Sequence, residues 1–127
     1  MELSASHRLW RSEWDEARNR EVFGPEARPF SHGHNYELRV TVRGRVDPET
    51  GMVIDLKALQ DVMDAEITAR FDHRDLNDDT GFFADQAPTA ENFSRVIFAL
   101  LDRALGGELL EAVALSPTPN HTVECCR

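Results

Sequence analysis

His32, Gly33 and His34 carry two imidazoles two residues apart, a spacing that can hold one metal ion if the chain is extended there. In a strand alternate side chains leave the same face, so His32 and His34 point together. From Tyr36 onward the pattern supports a strand. Tyr36, Leu38, Val40, Val42 and Val46 are apolar, while Asn35, Glu37, Arg39, Thr41, Arg43 and Arg45 are polar. This period of two predicts a half-buried strand over 34–46, entered through the histidine pair, with both imidazoles in phase with its apolar face. Residues 2–9 alternate in the same way: Leu3, Ala5, His7 and Leu9 against Ser4, Ser6 and Arg8. If these two strands pair antiparallel, His7 meets His32 and His34 on the core side. Zinc accepts three imidazoles and leaves a fourth position open for water or substrate, as catalytic sites do. A structural zinc takes four protein ligands, and no fourth is evident. The competing reading is a set of hydrogen-bonded core histidines. Three of the chain's five histidines in phase with the buried face favour the metal.

These imidazoles depend on the elements around them. Residues 10–31 break the alternation with Trp10, Trp14, several charges, Gly24-Pro25 and Pro29, an excursion long enough to suggest a functional loop. Asp47-Pro48-Glu49-Thr50-Gly51 closes the second strand as a turn. Asp55 suits a helix N-cap, and Leu56, Leu59, Met63, Ile67 and Phe71 mark a helical stripe to about residue 70. Asp72 through Asp79 is too polar to continue a core helix. Thr89 can cap a second helix patterned by Phe93, Val96, Ile97, Leu100, Leu101, Ala104 and Leu105, and Gly106-Gly107 ends it. Leu110–Leu115 and Thr122–Cys126 read as short strands around Pro117-Thr118-Pro119-Asn120. The expected fold is α+β: a four-stranded antiparallel sheet with two helices on one face, in the order ββααββ. Two open sheet edges favour continuation into neighbouring subunits.

A length of 127 residues and 41% hydrophobic content fit a single domain over 1–127. The first residues form no signal peptide and no apolar run is long enough to span a bilayer. Adjacent Cys125 and Cys126 are poorly placed to bridge each other. A reduced, cytoplasmic protein is expected. A net charge of -9 argues against nucleic-acid binding. Lys57 is the sole lysine, and arginines crowd the first 45 positions. Arginine's planar fork suits phosphates, although genomic base composition can produce the same enrichment.

Taken in order, Ser4-Ala5-Ser6-His7-Arg8-Leu9, Phe23-Gly24, His32-Gly33-His34-Asn35-Tyr36, Asp47-Pro48, Gly51-Met52-Val53, Asp55-Leu56, Asp72-His73-Arg74-Asp75-Leu76-Asn77 and Pro88-Thr89-Ala90-Glu91-Asn92 resemble the 6-pyruvoyl-tetrahydropterin synthase family, which includes the 6-carboxytetrahydropterin synthases. The resemblance spans nearly the whole chain. It implies the tunnelling fold, homohexamers built as a dimer of trimers, and Zn2+ held by His7, His32 and His34. It also implies a dihydropterin substrate, 7,8-dihydroneopterin triphosphate, with zinc polarising side-chain oxygens while protein groups move protons. Asp72-His73 match the family's proton-transfer pair, and Thr89 and Thr118 match positions near the substrate.

Two positions depart from the family pattern. Where members with the animal-type spacing carry a cysteine six residues before the histidine pair, this chain has Glu26. Members with a glutamate near this place resemble enzymes that cleave the side chain to 6-hydroxymethyl-dihydropterin. A free carboxylate is a feeble base toward carbon acids and needs burial to strengthen it. In the final turn the family's glutamate, which anchors the pterin's guanidine-like edge, is replaced by Pro117. Glu124 on the next strand is the candidate substitute. The expectation is therefore a zinc-dependent lyase with Glu26, Asp72 and His73 catalytic and Thr89, Thr118 and Glu124 binding substrate. Its products would be 6-pyruvoyl or 6-carboxy tetrahydropterins by default, with side-chain cleavage as the variant. Two alternatives remain at this point: a zinc-containing pterin- or purine-like binding protein that has lost catalysis, and a zinc hydrolase of another heterocycle.

Overall fold

Strand β1 (Glu2–His7) lies antiparallel to β2 (His32–Val42), with His7 opposite His32 and Ala5 opposite His34. The expected pairing of the first two strands therefore forms, and the apolar alternation turns Leu3, Ala5, Tyr36 and Leu38 into the core. The computed structural model describes all residues from Met1 to Arg127.

The chain between these strands is partly helical. Helix α1 (Glu16–Phe23) follows Asp15, whose side chain caps the Arg18 N–H, and a 3-10 turn (Gly24–Glu26) follows the helix. Its periodicity was not readable because it carries no apolar stripe: Asn19 is its one buried residue. Strand β2 stops at Val42, short of the expected end at 46, because its register with the next strand shifts between Thr41 and Val42. Val46 is left exposed.

Asp55 caps α2 (Leu56–Met63), which continues through a π-helical turn (Asp64–Thr68) into α3 (Ala69–Phe71). Leu59, Met63, Ile67 and Phe71 are buried as the stripe requires, whereas Leu56 faces solvent. The polar segment after it supplies an unexpected strand, β3 (Arg74–Asp75), parallel to β1. This pairing needs no hydrophobic pattern. It is held by backbone bonds from His73 to Ser4 and from Leu76 to Ser6, and by the Ser6 hydroxyl donating to Asp75 at 2.8 Å.

Thr89 caps α4 (Ala90–Ala104) through the Asn92 N–H. Strands β4 (Leu110–Thr118) and β5 (His121–Cys126) complete the sheet, leaving only Pro119-Asn120 as the turn. Pro117 is thus a strand residue. It sits where the β4–β5 register shifts, between Leu115 and Thr118, a position at which a missing N–H costs little. The sheet has five strands in the order β3-β1-β2-β4-β5. It is mixed, so the four-stranded, wholly antiparallel ββααββ arrangement is corrected by β3 and α1, while the α+β class stands. No helix is long and apolar enough to cross a membrane.

The core lies between one sheet face and the helices α2 to α4. Fully buried Phe93 has its ring 5.0 Å from Phe71, 5.5 Å from Tyr36 and 5.9 Å from Phe83, centroid to centroid. Phe93→Ala is expected to lower stability by about 3–5 kcal/mol, read as a shift in the urea midpoint.

Candidate metal centre

All three inward-facing imidazoles gather at one end of the β1–β2 pair. Their ring centroids are 5.0 Å (His7–His32), 4.9 Å (His7–His34) and 4.9 Å (His32–His34) apart. His7 is buried, and its Nδ1 lies 2.8 Å from the carbonyl oxygen of Pro88. A carbonyl only accepts, so Nδ1 carries the hydrogen and Nε2 presents its lone pair to the cluster. There it stands 3.1 Å from His34 Nε2.

Glu26 approaches from the 3-10 turn. Its backbone is tied to the chain just beyond β1 by the Leu9 N–H, 3.1 Å from the Glu26 carbonyl. Its Oε2 lies 2.8 Å from His32 Nε2 and 3.8 Å from His7 Nε2. Despite that approach, both ring nitrogens of His32 are buried without a hydrogen-bond partner, so the carboxylate lies off the direction of any N–H. Ligand atoms of His7, Glu26, His32 and His34 all lie within 4.8 Å of one another. A carboxylate from the excursion, which periodicity did not reveal, thus stands among the groups that could hold an ion.

These residues fit a divalent cation of the zinc type. Buried polar atoms without partners cost about 1–3 kcal/mol each, and a cation taking the one free lone pair of the His32 ring removes that cost at one of its two nitrogens. Neutral imidazole is the form that ligates, and burial pushes both His7 and His34 below the ordinary imidazole value. For His7, desolvation outweighs the opposing pull of the Pro88 carbonyl. A histidine with a lowered folded pKa takes up its proton more readily when unfolded. Stability of the metal-free chain is therefore full above about 6.5 and falls as pH drops through and below that value. Urea midpoints of chelator-treated protein at stepped pH check this.

Buried Asn19 organises the excursion. Its side-chain nitrogen donates to the Arg11, Trp14 and Asp15 carbonyls, and its oxygen accepts from the Arg11 N–H. Trp14 stacks on Phe23 at 5.8 Å, with the Arg11 and Arg18 guanidiniums 5.2 Å and 4.4 Å from its ring. Several of the arginines in the first 45 positions are held in ion pairs. Arg11 pairs with Glu13, Arg20 with Glu16 and Arg43 with Glu111.

Asp72 and His73 stand on the other side of β1. Asp72 Oδ1 accepts from the Ser4 N–H at 2.9 Å and Oδ2 lies 2.9 Å from His73 Nδ1. The Ser4 N–H, aided by the imidazole, holds the Asp72 carboxyl below its usual range. His73 sits at φ 57°, in the left-handed region, and its side chain is 81% exposed. An open cleft of about 470 Å3 has both His34 and His73 in its lining, with Ser6, Asn35 and Asp75. Thr89 adjoins Pro88, whose carbonyl fixes His7. Thr118 lies elsewhere, beside Glu2, Asn35 and Glu37, with its hydroxyl 2.9 Å from His121 Nδ1. Glu124, exposed on edge strand β5, accepts from the Cys126 thiol. Within one chain, then, Glu26 joins the histidines, Thr89 adjoins them, and Thr118 and Glu124 do not.

The family model for 6-pyruvoyl tetrahydropterin synthase matches residues 1–127. The chain belongs to this family. The human 6-pyruvoyl tetrahydrobiopterin synthase is 39% identical over 121 residues, which is 95% of this chain and 83% of the human one. A 6-carboxy-5,6,7,8-tetrahydropterin synthase from Synechocystis is 36% identical over 77 residues, 58% of this chain and 57% of its own. The solved Caenorhabditis elegans 6-pyruvoyl tetrahydropterin synthase superposes with a TM-score of 0.95 at 34% identity, covering 100% of this chain and 91% of that one. The α+β fold of the 6-pyruvoyl tetrahydropterin synthases is therefore this chain's fold.

Two features of this family member were invisible in the sequence. The Pro88 carbonyl that sets the His7 tautomer is a backbone group and leaves no side-chain signal. Asn19 looks like any polar helix residue until its amide is seen fully bonded.

Proposed function

We propose that this chain is a zinc-dependent lyase acting on 7,8-dihydroneopterin triphosphate or a closely related dihydropterin. The observation that carries the reading is the convergence of His7, His32 and His34, with the His7 tautomer set by Pro88 so that Nε2 faces inward. Membership of the 6-pyruvoyl tetrahydropterin synthase family supports the substrate class. Zinc held there supplies Lewis-acid stabilisation of negative charge developing on side-chain oxygens of the substrate.

The remaining work falls to the protein's own groups. Asp72, kept ionised by the Ser4 N–H, accepts the Nδ1 hydrogen of His73 and leaves Nε2 free to take or return a proton. Glu26 is the carboxylate beside the histidines and takes the place of the family's cysteine as base toward the substrate side chain. Thr89, whose oxygen accepts from Asn92, keeps its hydroxyl hydrogen for the ligand. Thr118 and Glu124 contact substrate from a neighbouring subunit of a homohexamer. Exposed edge strands β3 and β5 and the exposed side chains of Val22, Phe30 and Leu56 support that assembly, and elution at monomer size would contradict it. The lack of a membrane-crossing helix is compatible with a cytoplasmic setting.

Product identification tests the reaction. The zinc-loaded protein is incubated with 7,8-dihydroneopterin triphosphate, and the pterins formed are resolved by mass. A 6-pyruvoyl or 6-carboxy tetrahydropterin is the default product, and 6-hydroxymethyl-dihydropterin is the one that a glutamate base favours. An unchanged substrate would sink the lyase reading.

A further inference from the structure

We propose that Glu26 is a fourth, displaceable ligand of the metal, closing the centre until a ligand enters. This rests on the zinc reading of the three histidines. Donors of one tetrahedral zinc ion at bond lengths of 2.0–2.1 Å stand roughly 3.3 Å from each other. Three of the separations among the donors lie on either side of that value, 3.1 Å between His7 and His34 Nε2, 2.8 Å from Glu26 Oε2 to His32 Nε2 and 3.8 Å from Glu26 Oε2 to His7 Nε2, and all four donors lie within 4.8 Å of one another.

A second observation excludes an ordinary hydrogen bond as the cause. The 2.8 Å approach of Glu26 to His32 leaves His32 Nε2 without a hydrogen-bond partner, because the oxygen lies off the ring's donor axis. Co-ligands of one ion are offset in this way, since each aims at the ion rather than at its neighbour. His32 Nδ1 is also buried and unpaired, so nothing else orients this ring. An imidazole and a carboxylate oxygen in contact, with no proton aligned between them, repel unless a cation is shared.

The same residue is built to leave. Its backbone is fixed, by the Leu9 N–H and the turn that Gly24 opens at φ +59°, but its side chain is 44% exposed. The carboxylate can swing toward solvent with no rearrangement of β1 or β2. A carboxylate also suits this exchange better than a thiolate, which binds zinc as a softer and more persistent ligand. Displaced by an incoming pair of hydroxyls, it stays beside the entering group.

Cobalt(II) in place of zinc tests this, with two readouts independent of turnover: metal affinity by competition with a chromophoric chelator, and the visible d–d absorption. Glu26→Ala is expected to weaken Co2+ binding by about tenfold or more, the lower bound seen when even an outer partner of a ligand is lost, and to change the absorption band. Glu26→Gln, isosteric and uncharged, should fall between. Matching elution and circular dichroism show that each variant is folded. Wild type and Glu26→Ala binding Co2+ with the same affinity and spectrum would overturn the proposal and leave the three-histidine centre standing. A wild-type chain that takes up no Co2+ or zinc would overturn both.

Discussion

His34→Ala is expected to abolish tight metal binding and turnover together while the chain remains folded. His34 is half-buried on β2, opposite Ala5, and its Nε2 faces that of His7 at 3.1 Å. Alanine keeps the strand backbone and its pairing, so the loss falls on the donor set. Removing one of three imidazoles should cost on the order of 100-fold or more in metal affinity, since losing an outer partner alone reaches that range. The Lewis-acid contribution is several kcal/mol, which corresponds to on the order of 10³-fold in rate. Metal analysis after dialysis and turnover on the same sample check both. Full metal content in the variant would show that His34 is a core histidine and no ligand.

His73→Asn is expected to give the opposite pattern, with metal retained and turnover reduced by about 10²–10⁴-fold. His73 is absent from the donor cluster, so affinity should not move. Asparagine tolerates the left-handed conformation that this position holds at φ 57°, and it can still donate to Asp72. It cannot take up a proton from substrate. Asp72→Asn should act in the same direction, because the carboxylate that orients the ring becomes an amide. If His73→Asn turned over normally, proton transfer would have to be assigned to another group, with Glu26 the nearest candidate.

The residues that were legible in the sequence share one property: their role follows from a repeating pattern. His7, His32 and His34 announce themselves because a period of two puts each in phase with Leu3, Ala5, Tyr36 and Leu38, and the antiparallel register then brings them together. Helix α4 was legible for the same reason at a period near 3.6, and its Thr89 cap was visible beside it. What escaped depends on polar or backbone contacts that have no period. Strand β3 is two residues long, and its neighbour Asp72 and its own Asp75 bond to Ser4 and Ser6. Helix α1 buries only Asn19, so no stripe marks it. Glu26 could be singled out as an oddity of its position, but its reach to His32 depends on the turn after α1. Pro117, expected in a turn, proved to lie in β4 at a register shift, which only the pairing with β5 reveals.

The two halves of the site differ accordingly in what holds them. The histidines are fixed by the β1–β2 pairing and by Pro88, so their geometry is part of the core. Glu26 comes from a segment held by one buried asparagine, and His73 projects from an exposed turn. Strand-held imidazoles thus stand beside the more exposed side chains of Glu26 and His73.

Zinc dependence is measured most directly by turnover of 7,8-dihydroneopterin triphosphate by one protein sample at three stages: as zinc-loaded protein, after removal of metal by a chelator, and after zinc is restored. Product is expected to form in the first and third stages and to drop to background in the second, with one zinc per chain regained together with the activity. Turnover that persists undiminished in the metal-free protein would show that the reaction does not depend on zinc.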